Sequence, residues 1–89
     1  MNFNTALQSW LKEAQKIAEY SLSLSWGRRY VKVIAKTKYE KYGSAYCFID
    51  RETGDVLKAA SWNAPAKHAR GNIFSKKLGV GQYGAHYLK

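Results

Sequence analysis

The sequence predicts an α+β fold: an amino-terminal amphipathic helix packed on a small antiparallel sheet of three or four strands, then a short helix and an irregular carboxy-terminal tail. Three observations predict it. Apolar residues recur at helical spacing over the first eighteen positions, the period drops to two from Ser21 onward, and "NAPAKHARGN" (63–72) carries a helix start and a helix stop. A chain of 89 residues fits a single domain, 1–89.

In the first element Phe3, Leu7, Trp10, Leu11, Ala14, Ile17 and Ala18 recur every three or four residues, with Gln8, Lys12, Glu13, Gln15, Lys16 and Glu19 mostly elsewhere. This is the pattern of a helix that buries one face. Asn4 or Thr5 suits its cap, and Thr5 with Gln8 has capping-box spacing. Trp10 lies on the apolar stripe and is assigned to the core. In "SLSLSW" Leu22, Leu24 and Trp26 alternate with serines, as in a half-buried strand. After Gly27, "RRYVKVIAK" alternates again. The turn-rich "KYEKYGS", the apolar run "AYCFID", the turn "RETGD" and the short "VLKAA" follow. The last three strand-like elements form an antiparallel meander, and Gly54 supplies the positive φ that a compact Asp50–Asp55 loop needs.

Alternation sets Val31, Val33 and Ala35 on one face of the second strand and Tyr30, Lys32, Ile34 and Lys36 on the other. In the following strand Ala45, Cys47 and Ile49 oppose Tyr46, Phe48 and Asp50. The aliphatic sets are expected to meet the helix. The other sets mix rings with lysines, the composition of a platform for single-stranded nucleic acid. The same pattern arises if the carboxy-terminal segment covers Tyr46 and Phe48 while the lysines extend at the rim.

In residues 63–72 Asn63 is suited to an N-cap, Pro65 to a first turn, and Gly71 to the left-handed position past the last turn. These predict a helix from about Ala64 to Arg70. On it Lys67 and Arg70, three apart, share a face with His68 beside them. A helix start followed by two cations suits a phosphate. The remaining "SKKLGVGQYGAHYLK" has no helical period and reads as a tail laid across the domain, anchored by Tyr83, Tyr87 and Leu88.

Fifteen Lys and Arg oppose six Asp and Glu, a net charge of +9, and no acid follows Asp55. Such an excess favours a polyanionic partner, because neutralised phosphates release counterions whatever the base sequence. DNA or RNA is therefore the expected partner. Arg28, Arg29, Lys32, Lys36, Lys67 and Arg70, with His68, are expected on its backbone, and Tyr30, Tyr46 and Phe48 as stacking residues. The alternative is a protein-interaction module that meets an acidic protein surface.

Catalysis is not expected. Asp50, Glu52 and Asp55 cluster at a turn that accounts for them, and there is no zinc spacing and no glycine-rich phosphate loop. No metal or cofactor is expected either. Cys47, the single cysteine, sits in an apolar run as a buried thiol. The start has no basic region leading into an apolar one, and no stretch approaches membrane-spanning length, so an intracellular protein with no membrane partner is expected.

The block "GDVLKAASWNAPAKHARGNIF", with "RRYVKV" and "YCFID" before it and "YGAHYL" after it, resembles small uncharacterised proteins of tailed bacteriophages. The resemblance spans roughly Gly27 to Phe74 and brings no activity with it. It implies a viral source, with action in the cytoplasm of an infected bacterium or a place in the virion, and it makes a host protein or a virion component a possible partner. By topology the expected order is also similar to the α-β-β-β-α double-stranded-RNA-binding fold, although Gly71 would stop the last helix early.

Overall fold

The computed structural model describes residues 2–36, 43–75 and 77–81. Helix α1 (Phe3–Ile17) is followed by strands β1 (Ser21–Trp26), β2 (Tyr30–Lys36), β3 (Ser44–Asp50), β4 (Asp55–Ala59) and β5 (Pro65–Asn72). The strands pair antiparallel in sequence order, β1-β2-β3-β4-β5. The class is α+β as expected, but the sheet has five strands rather than three or four.

The helix begins earlier than its sequence suggests. Asn2, not Asn4 or Thr5, is the cap, and its side-chain oxygen accepts the Thr5 N–H at 2.8 Å. Ala6, Leu7, Trp10 and Ala14 are buried, and they share one core with Val31, Val33, Cys47, Ile49 and Val56. Ile17, at the end of the expected stripe, is 43% exposed. Leu22, Leu24 and Trp26 pair across to Ala35, Val33 and Val31, so their side of the sheet faces the helix.

Residues 65–72 are a strand, and the helix expected from Ala64 to Arg70 does not form. The physical reasons are local and tertiary. Ala64 precedes a proline, which disfavours helical backbone there. Its carbonyl accepts the N–H groups of Ala60 and Ser61 at 2.9 and 3.1 Å and closes the β4–β5 loop. Pro65 lacks an N–H, a defect that an edge strand tolerates, and β5 is an edge. Gly71 is not a left-handed helix stop. Among the described glycines positive φ belongs to Gly43, Gly54 and Gly79, so the Gly54 expectation holds. Gly71 serves close approach: a Cβ there would run into the Lys77 carbonyl and lie 2.8 Å from Gly79 Cα. The likeness to a double-stranded-RNA-binding fold, which depended on a closing helix, lapses with it.

That close approach admits the segment 77–81, which completes the helix-side layer. The Asn72 N–H donates to Lys77 O at 2.8 Å, and the Trp10 indole N–H donates to Leu78 O at 2.9 Å. Val80 is 2% exposed, and the Tyr46 hydroxyl donates to Gly81 O. The expected anchors Tyr83, Tyr87 and Leu88 lie outside the described residues, as does most of "KYEKYGS".

In an ordinary strand Gly→Ala stabilises by reducing the freedom of the unfolded chain. Here the sign reverses. Gly71→Ala should lower the free energy of unfolding in urea by about 1–3 kcal/mol, the cost of overpacking. A neutral or stabilising result would show that the strand and the 77–81 segment are not held this close.

Candidate nucleic-acid interface

The sheet's outer face, away from the helix, is built around one cross-strand row. Ser25 pairs with Lys32, Lys32 with Phe48, Phe48 with Leu57, and Leu57 with Ala69. Phe48 is 3% exposed, and the Tyr30 ring stands edge-on to it at 6.2 Å. The β4–β5 loop folds toward this row. Lys32 Nζ donates to Asn63 Oδ1 at 3.1 Å and lies 4.0 Å from the centre of the Trp62 ring. Beside this row lies a recess of about 260 Å³, with Phe48 and Ser25 next to a rim of Gly27, Arg28, Arg29, Tyr30, Lys32 and Asn63.

The basic turn 27–29 on this rim is fixed from several directions. The Gly27 N–H donates to Tyr30 O at 2.9 Å, the Arg51 N–H donates to Arg29 O at 2.8 Å, and the Arg51 guanidinium donates to Gly27 O at 2.7 Å. The Arg29 Nε and Nη2 groups donate to the Asp50 carboxylate at 3.3 and 3.1 Å. Asp50 also accepts the Glu52 and Thr53 N–H groups at 2.8 and 3.3 Å. Its side chain is only 8% exposed. That burial would by itself push the carboxyl up, but the Arg29 hydrogen bond and the two backbone N–H groups outweigh it and hold Asp50 below its ordinary range. The same hydrogen bond, with the Asp50 and Glu52 charges, raises Arg29.

The two neighbouring arginines therefore differ in kind. Arg29 is neutralised by Asp50 and Glu52 and serves as a clamp. Arg28 is exposed and has no ion pair among the described residues. Lys32 spends one of its three donors on Asn63 and keeps two. A phosphate entering the recess thus meets a free guanidinium and a half-committed ammonium.

Of the residues expected from sequence, Arg28, Arg29, Tyr30, Lys32 and Phe48 converge here. The others do not. Lys36 is at the far end of β2, opposite Ser21. Tyr46 leaves the face shared by Phe48 because the β2–β3 register shifts between Val33 and Ile34: Cys47 pairs with Val33, and Ala45 with Ile34. The ring enters the core, 2% exposed, and burial with the neighbouring Cys47 pushes its hydroxyl up to about 12. Covering by the carboxy-terminal segment, one of the two arrangements the pattern allows, is thus what Tyr46 has.

On β5, Lys67 shares the face of Ala69 by alternation, while His68 falls on the other. In a strand, residues three apart do not share the face that a helix would give them, so the Lys67–Arg70 pair dissolves. Arg70 donates to its neighbour His68 O and borders a separate hollow with Asp55 and Lys77.

Three contributors were not expected from sequence: Trp62, Asn63 and Arg51. Asn63 was absorbed by its reading as a helix cap. Trp62 had a signal, since a tryptophan between Ser61 and Asn63 belongs to no apolar period. Cys47 is fully buried, and burial pushes its thiol well up, so it holds no ready thiolate. Among the described residues no three His, Cys, Asp or Glu side chains group as a metal site requires, and no helix is long and apolar enough to cross a membrane.

The lowered Asp50 carboxyl makes the clamp acid-sensitive. A carboxyl depressed in the folded state contributes stability above its unfolded value, about pH 3.9, and loses it as pH falls through the lower folded value. Urea unfolding should therefore show Asp50→Asn less stable than the natural chain by about 1–3 kcal/mol near neutrality. The gap should close in strong acid. A gap undiminished there would mean that the Asp50 charge is not what holds the turn.

No curated protein and no solved structure matches the chain. A family model does match it over residues 1–84, and the chain belongs to that family, a family of unknown function (DUF7717).

Proposed function

We propose that the protein is a non-enzymatic nucleic-acid-binding domain that takes phosphate in the Arg28–Lys32 recess. The observation that carries this reading is the convergence of Arg28, Arg29 and Lys32 on one open recess, with the free Arg28 on a turn immobilised by Asp50 and Arg51. A guanidinium carried on a fixed turn loses little freedom when it binds an oxyanion, and its planar fork matches phosphate oxygens. The net charge of +9 supplies the long-range attraction. Given the likeness of the 54–74 block to proteins of tailed phages, the setting we propose is an infected bacterium's cytoplasm or the virion.

Binding to DNA or RNA should weaken steeply with salt. Each phosphate that a variant no longer neutralises should flatten the slope of log affinity against log salt by about 0.7–0.9. Arg28→Ala with Lys32→Ala should flatten it by about twice that, while Lys36→Ala, at the far end of β2, should do less. Failure of every nucleic acid to bind at low salt would end this reading.

A protein-interaction role has one observation of its own. β1 is a six-residue edge strand without charge or proline, and such an edge can accept a strand from a partner. Pull-down from bacterial lysate separates the two roles. The nucleic-acid reading expects co-purifying proteins to disappear on nuclease treatment, and the interaction role expects one to remain.

A further inference from the structure

Three tryptophans occupy two kinds of site. Trp10 is 5% exposed and belongs to the core, whereas Trp26 and Trp62 are 48% and 42% exposed. Leaving an indole half in water forgoes much of what its burial would contribute, and the two exposed rings share a second property. Each has a cation over its face: the Arg51 guanidinium lies 5.3 Å from the centre of Trp26, and Lys32 Nζ lies 4.0 Å from that of Trp62.

Their positions are equally specific. Trp26 ends β1 on the helix side of the sheet, where it pairs with Val31 and meets the Phe3 ring edge-on at 6.0 Å. Trp62 lies by the outer face, over Lys32. Between them runs the turn Gly27–Arg29, with the exposed Arg28 near its middle and Arg51 holding Gly27 from the Trp26 side. A ring with its cation, a free arginine, and a second ring with its cation thus follow one another around this end of the sheet.

Resting on the reading above, the geometry points to a single-stranded nucleic acid as the ligand, led over this end of the sheet with one base on Trp62 and another on Trp26. Its backbone crosses Arg28, while Lys32 and Arg51, each over one face of its ring, leave the opposite face to the base and meet the phosphates of the stacked nucleotides. The chemistry discriminates against a duplex in two ways. Paired bases are already stacked on one another and present no free face to an indole. A duplex is also stiff over far more than the size of this domain, so it cannot touch rings on opposite sides of a sheet, whereas a flexible strand can.

Titration of the intact protein with an oligothymidylate or an oligouridylate of about 15 nucleotides, a length typical of small single-strand sites, tests this against a hairpin duplex of equal charge. Single strands of either sugar should quench the tryptophan emission and bind more tightly than the duplex. Trp26→Ala and Trp62→Ala should each weaken single-strand binding by about five- to a hundredfold, and Trp26→Ala, which lies outside the recess, should leave the weaker duplex binding unchanged. Trp26→Phe, which keeps a ring against Phe3, guards against loss of folding at that position and should retain most of the affinity. Equal binding of strand and duplex, with no loss in either alanine variant, would overturn the single-strand inference and leave the phosphate reading intact. Absence of all binding at low salt would overturn both.

Discussion

The fold is governed by what one helix can cover. Fifteen residues of helix make a rod about 22 Å long and about 10 Å across, whereas five strands spaced at about 4.8 Å extend over about 20 Å. A single rod shields only part of one face. The remainder of that face, toward β5, is closed by the 77–81 segment, which reaches the sheet only because Gly71 and Gly79 let two backbones meet. The opposite face has no second layer of secondary structure among the described residues. Tyr30, Phe48, Leu57 and the folded-over β4–β5 loop screen its apolar row, and the basic recess is the gap they leave. The position of the candidate site therefore follows from the shortage of covering elements.

The elements with a strong period were readable in advance. α1, the alternation in β1 and β2, and the positive φ of Gly54 each follow from residues a few positions apart. What was not readable depends on partners distant in sequence. Ala64, Ala66 and Ala69 have no apolar period of their own, and Pro65 with Gly71 fits either a capped helix or an edge strand next to a tight backbone contact. β4 needs a neighbour on its open side, and that tertiary demand decides the matter. Tyr46 departs from the Phe48 face for a related reason, because strict alternation fails at a register shift and nothing in "SAYCFID" marks one.

The same division applies to the site. Arg28, Arg29, Tyr30 and Lys32 were legible because four consecutive or alternating residues on a turn and strand stay near one another under almost any pairing. Asn63 reaches Lys32 across thirty-one positions, bringing Trp62 with it, and that proximity exists only once β5 is a strand. The different roles of Arg28 and Arg29 were likewise invisible, since they are decided by which one faces Asp50. An arginine bound to a buried carboxylate adds rigidity, and its neighbour keeps the charge available for a ligand.

The order of strands also has a kinetic meaning. Each strand pairs with its neighbour in sequence, so the sheet can grow by closing short loops, at small entropic cost for each hairpin. The two ends of the described chain meet differently: Trp10 and Leu78 join across 68 positions. Contacts of that span form after the local ones, and late contacts govern how fast a native chain opens more than how fast it forms. The hairpins in the middle of this chain thus set its speed of folding, while the indole and the carbonyl at its ends set how long it stays folded.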